Sequence, residues 1–105
     1  AIIKGAINRA PTLLSMTQLD VLFSGTVQGV GFRFTVNRIA RHFEVTGYIR
    51  NLPNGKVRLL AEGEKQTLED FLAAIQDSEM GRFIRDVEVS WSEAEGKFQT
   101  FGIVA

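Results

Sequence analysis

Cysteine is absent from the 105-residue chain. A disulfide framework, a thiolate-held zinc and a cysteine nucleophile are therefore excluded, which fits a reducing, cytoplasmic compartment. Histidine occurs once, at His42, and proline twice, at Pro11 and Pro53. Charge of one sign is also missing: 12 lysines and arginines balance 12 aspartates and glutamates. Nothing in that balance points to a protein that coats nucleic acid or an anionic membrane by bulk charge. No apolar run approaches the roughly 20 residues of a membrane-spanning helix. What is present is an ordinary globular composition, at a length that suggests one domain with a single modest core.

The first sixteen residues, "AIIKGAINRAPTLLSM", differ from the rest. They lack a sustained period and are interrupted by Pro11. No secretory apolar segment forms between Lys4 and Pro11. The expectation is a flexible or loosely docked tail over 1–16, with Met16 as a candidate natural start, and a folded domain over 17–105.

From Leu19 onward the periodicities are clear. Leu19, Val21 and Phe23 alternate with Asp20, Leu22 and Ser24, which predicts a strand with one buried face. Val36, Ile39, Ala40 and Phe43 fall on one helical stripe. Residues 46–50 read as a second strand, and Val57, Leu59 and Ala61 as a third. The Pro53-Asn54-Gly55 turn between them carries the Asn-Gly hairpin signal. Leu68, Phe71, Leu72 and Ile75 give a second helical stripe. Thr67, three residues before Asp70, resembles a capping pattern, with the helix starting there or a few residues earlier. Val87, Val89 and Trp91 alternate as a fourth strand, and Phe101 and Ile103 mark a short fifth. The order β-α-β-β-α-β with a terminal strand is that of a ferredoxin-like α+β sandwich.

Between the first strand and the first helix lies "GTVQGVGFR", residues 25–33, with three glycines and one arginine. Glycines so close together mark unusual dihedrals or a close backbone approach. Two readings fit. The loop either turns the chain and leaves Arg33 solvated, or cradles an anion with backbone N–H groups at a helix start, with the Arg33 guanidinium as a charged fork. It is not a Walker loop, because the Gly-Lys-Ser/Thr ending is absent. In this topology the first two strands run parallel with one strand between them, about 10 Å apart. Alternation puts Asn51 on the face of Ile49, at the same edge as the loop.

"GTVQGVGFR" followed by "GYIRNLPNGKV" closely resembles the two signatures of the acylphosphatase family. The resemblance continues through "LLAEGE", "VEVSW" and "GKFQTFGI" and covers about residues 19–104. It implies a ferredoxin-like sandwich that hydrolyses acyl phosphates; the expectation is a monomer acting on small acyl phosphates without metal or other cofactor. It also implies that Gln28, Gly29, Val30, Gly31, Phe32 and Arg33 form the phosphate-binding loop. Arg33 would be the catalytic arginine, and Asn51 the asparagine that holds the attacking water. Asn54, where aspartate is common, and Tyr48, where tryptophan also occurs, are small departures away from that chemistry.

So sparse a site suits one kind of substrate. In a carboxyl phosphate the leaving group is a carboxylate, whose conjugate acid has a pKa of about 4. It departs without a general acid, so the remaining tasks are gathering phosphoryl charge and aiming a water in line.

Other residues have plainer readings. His42 is expected at the surface near the end of the first helix, Trp91 in the core beside Val87 and Val89, and Arg82, Arg85 and Asp86 in a solvated turn. Phe32 and Phe34 are expected to fix the loop against the core, one of them alternatively bordering the acyl group. RNA-recognition domains share this strand order but stack bases on aromatics of central strands. "KVRLLAEG" has none. A non-catalytic anion-binding domain, like the acylphosphatase-like segment of much longer carbamoyl-transfer maturation proteins, is the other alternative. With both Arg33 and Asn51 present, and a chain that stops where the domain stops, a free enzyme is the expectation.

Overall fold

The computed structural model describes residues 15–105. The expected tail over 1–16 thus lies outside the described residues, except Ser15 and Met16. The elements are β1 (Met16–Gly25), α1 (Phe32–Ala40), β2 (Thr46–Asn51), β3 (Val57–Glu64), α2 (Lys65–Asp77), a 3-10 turn (Gly81–Phe83), β4 (Ile84–Glu93) and β5 (Phe101–Ile103). The sheet has the order β4-β1-β3-β2-β5. Its first four strands are the ferredoxin-like order read from the sequence.

Period-two alternation builds the core. Leu19, Val21 and Phe23 of β1, Ile49 of β2, and Val57, Leu59 and Ala61 of β3 are all fully buried on one face. Val36 of α1 and Leu68, Phe71 and Ile75 of α2 close over them, also fully buried. Burying each of these larger side chains is worth roughly 1.5–3 kcal/mol. Phe71 meets Phe43 and Phe101 at ring-centroid distances of 5.6 and 5.7 Å, so α2 also holds β5 in place.

Three local expectations are corrected. Trp91 and Val89 are not core residues, being 37% and 41% exposed. They do lie on the face that alternation predicts, Trp91 opposite Leu19 and Val89 opposite Val21. But β4 is an edge strand, and of Val87, Val89 and Trp91 only Val87 packs against the core. The Trp91 ring instead lies under the Lys65 ammonium, 5.3 Å away, a cation–π contact at the start of α2. Second, Thr67 does not cap α2. That helix begins at Lys65 behind an extended Glu64 with no side-chain cap. Third, α1 ends at Ala40, before Phe43. Arg41, His42 and Phe43 continue with N–H bonds to the carbonyls three residues back, which still carries Phe43 onto the core. His42 is exposed there, as are Arg82, Arg85 and Asp86, the last two being in β4.

The connection from β4 to β5 runs from one edge of the sheet to the other, across the face opposite the helices. Glu62 anchors it. Its side chain is 2% exposed and accepts hydrogen bonds from the Glu95 and Gly96 backbone N–H groups at 2.7 and 3.0 Å, and from the Gln18 amide at 2.8 Å. Phe98 adds an edge-on contact with Tyr48. Burial pushes the Glu62 pKa upward, but the Glu95, Gln18 and Gly96 hydrogen bonds and the nearby Lys97 charge outweigh it and hold the carboxyl below its ordinary value of 4.5.

A depressed folded-state pKa gives stability that is present above the unfolded value and is lost as pH falls through the folded value. Urea unfolding of the wild type should therefore lose stability from about pH 4.5 downward, relative to Glu62→Gln. At neutral pH Glu62→Gln should cost about 1–3 kcal/mol, because one backbone N–H then faces an amide NH2.

Candidate active site

The glycine loop takes the dihedrals that its composition suggested. Gly29 and Gly31 have φ of 80° and 85°, a region that side-chain-bearing residues rarely adopt. A Cβ on either would meet nothing within 4 Å, so backbone conformation, not crowding, requires glycine there. Gly25 differs: a Cβ there would run into the Phe83 carbonyl, where the Thr26 N–H also bonds at 3.0 Å. One glycine packs the loop down, and two turn it open.

Gly31 is the N-cap of α1, and no side chain caps the helix start. The first bond of α1 joins the Thr35 N–H to the Gly31 carbonyl at 3.0 Å. The N–H groups of Phe32, Arg33 and Phe34 are thus left without intrahelical acceptors, at the positive end of the helix dipole.

A cavity of about 130 Å³ opens on this helix start. Gly29, Gly31, Arg33 and Phe34 line it from the loop and α1, Asn51 from β2 and Ile103 from β5, over a floor of Val27 and Phe32. Val27 and Phe32 are each 1% exposed, and Phe32 packs on Phe23 at 5.1 Å. Among the described residues Arg33 has no ion-pair partner. The Asn51 side-chain oxygen is buried without a protein donor. The cavity thus joins uncommitted N–H donors, an unpaired guanidinium and the Asn51 side chain.

Five of the seven candidate site residues meet in this cavity: Gly29, Gly31, Phe32, Arg33 and Asn51. Val30 packs partly against the core instead. Both side-chain N–H groups of Gln28 are engaged, donating to the Leu52 and Lys56 carbonyls at 2.8 and 2.9 Å. Phe34, 77% exposed, is at the mouth rather than against the core. Ile103 was missed as a lining residue. It is brought there because β5 runs parallel to β2, with Ile103 beside Ile49. Among the described residues no group of three or more His, Asp or Glu side chains is arranged to hold a metal ion, and no helix is long and apolar enough to cross a membrane.

The acylphosphatase family model matches residues 19–103, and the chain belongs to that family. The acylphosphatase of Archaeoglobus fulgidus is 41% identical over 88 residues, covering 84% of this chain and 98% of the relative. That of Methanospirillum hungatei is 42% identical over 82 residues, covering 77% and 90%. Among solved structures, the acylphosphatase from Bacillus subtilis superposes with a TM-score of 0.78 at 31% identity, over 85% of this chain and 99% of that one. Full-length HypF in its phosphate- and nucleotide-bound form gives a TM-score of 0.77 at 26% identity. There the similarity covers 93% of this chain but 12% of the other.

Arg33 is the only cationic side chain among the residues that line the cavity. Arg33→Ala should weaken inorganic phosphate binding by roughly ten- to a hundredfold, the worth of one charge-assisted contact, with the fold intact by circular dichroism. Arg33→Lys should recover little, because a point charge does not reproduce the planar fork. Titration calorimetry with inorganic phosphate reads both effects.

Proposed function

We propose that the chain hydrolyses the carboxyl–phosphate bond of small acyl phosphates, giving a carboxylate and inorganic phosphate, without a metal ion or other cofactor. The observation that carries this reading is the meeting of the uncapped α1 start, Arg33 and Asn51, whose side-chain oxygen has no protein donor, around one small cavity. The glycine-loop amides from Gln28 to Phe32 and the Arg33 fork hold the phosphoryl oxygens. Donors fixed in the backbone need no reorganisation as charge shifts in the transition state. The Asn51 oxygen accepts a hydrogen bond from a water and aims it in line with the leaving carboxylate.

The bond between phosphorus and the acyl oxygen breaks as the water oxygen bonds to phosphorus. The electron pair leaves with the carboxylate, which needs no proton near neutral pH. Asn51 is not a base, so the water's proton passes to a phosphoryl oxygen. A neutral amide beside the phosphate adds no charge repulsion, unlike a carboxylate. On this reading the chain acts as a monomer on free acyl phosphates in the cytoplasm, not on nucleic acid or membrane.

The likeness to one segment of a longer phosphate-bound chain supports a second reading, phosphate binding without turnover. A substrate panel in excess EDTA separates the two. Acetyl, carbamoyl and benzoyl phosphate should be hydrolysed, and glycerol phosphate should be nearly inert. Chelator inhibition restored by added metal would refute the metal-free route, and phosphate binding with no turnover would favour the second reading.

The role of Asn51 has its own test. Asn51→Ala should lower kcat by about two orders of magnitude, with a much smaller change in phosphate affinity. Asn51→Asp should be severely impaired by repulsion. A parallel loss of kcat and phosphate affinity in Asn51→Ala would make the residue a phosphate ligand instead.

A further inference from the structure

We infer that Gln28 is a positioning residue, whose side chain sets the place of Asn51 by tying the glycine loop to the β2–β3 hairpin. The inference rests on the hydrolytic reading above and deepens it. The Gln28 amide nitrogen donates to the Leu52 carbonyl at 2.8 Å and to the Lys56 carbonyl at 2.9 Å. A side-chain amide has two N–H donors, so both are committed. No donor remains on that side chain for a phosphoryl group, and only the backbone N–H of Gln28 belongs with the cradle.

The two acceptors are the residues that close the hairpin. The Leu52 N–H bonds to the Lys56 carbonyl at 2.8 Å, and the Gly55 N–H to the Leu52 carbonyl at 3.1 Å. Leu52 directly follows Asn51, the last residue of β2. Gln28 lies between Val27 and Gly29, which both line the cavity. One side chain thus spans the short gap between the loop that would hold the phosphoryl group and the strand end that would hold the water. β1 and β2 are not hydrogen-bonded to each other, because β3 lies between them. The Gln28 bridge therefore fixes a distance that the sheet ladder sets only indirectly.

The test uses the full-length chain with Gln28→Ala and with Gln28→Met, which keeps the side-chain length if the smaller residue fails to fold. Each is made alone and combined with Asn51→Ala, and kcat for benzoyl phosphate and the inhibition constant for inorganic phosphate are measured. Alone, each Gln28 variant should lower kcat by roughly ten- to a hundredfold, the scale of a small misplacement of the water. The phosphate constant should stay within about twofold. In the Asn51→Ala background the Gln28 substitutions should have almost no further effect, because Gln28 acts through Asn51. Hydrogen exchange of the Leu52 and Gly55 amides should quicken in the Gln28 variants, a readout that needs no substrate.

A kcat loss that persists in full beside Asn51→Ala, or that is matched by lost phosphate affinity, would overturn the positioning role. Unchanged Leu52 and Gly55 exchange would overturn the tie itself. A wild-type chain inert towards every acyl phosphate would sink the hydrolytic reading and this role with it. A working hydrolase with additive Gln28 effects would sink this role alone.

Discussion

The structure depends on one constraint of strand order. β3 pairs antiparallel with both β1 and β2, and so holds those two strands parallel with their C-terminal ends at one edge. The chain leaving β1 must then turn and start α1 at that edge, and the chain leaving β2 must end there too. A helix start and a strand end from distant parts of the sequence are brought within side-chain reach by backbone pairing alone. The buried face of β3, with Val57, Leu59 and Ala61 fully covered, is what holds this arrangement. A slip of one residue would turn those side chains to the other face, and Ile49 and Asn51 would follow.

The other edge is built differently. β5 has three residues and pairs only with β2, so its ladder is short. It is held by the Phe71–Phe101 contact on the helix side and by the strap that Glu62 anchors on the other side. This is a charged anchor in a covered place. Its three hydrogen bonds compensate the cost of burying the carboxylate, in keeping with the rule that buried charge persists only when well partnered. The wall that Ile103 adds to the cavity thus rests on contacts made on both sides of the sheet.

The strand order, the open glycine turn and the place of Asn51 were legible because each follows from a local rule. Alternation gives the faces, Asn-Gly gives the hairpin, and the parallel β-α-β step brings the ends together. What was not legible depends on coverage and partners. Alternation put Trp91 and Val89 on the helix side, but an edge strand extends past the helices, and no periodicity reports where the second layer stops. The position of β5 beside β2, and with it Ile103 in the cavity, depends on a crossing whose anchor, Glu62, reads in sequence as one more surface charge. The Gln28 side chain was read with its loop. Its true acceptors are two backbone carbonyls more than twenty residues away, and carbonyls leave no mark in a sequence.

The uncapped start of α1 has a further implication for how such a site varies. Its N–H donors belong to the main chain, so no substitution other than to proline deletes them. The information that places them is carried as two positive φ angles at Gly29 and Gly31, not as functional groups. A mirror-image residue, D-alanine, introduced at Gly31 by chemical synthesis would fit that dihedral and leave the donors in position, whereas its L-counterpart would be strained there. This set of donors is specified by handedness, while its chemistry is common to every peptide bond.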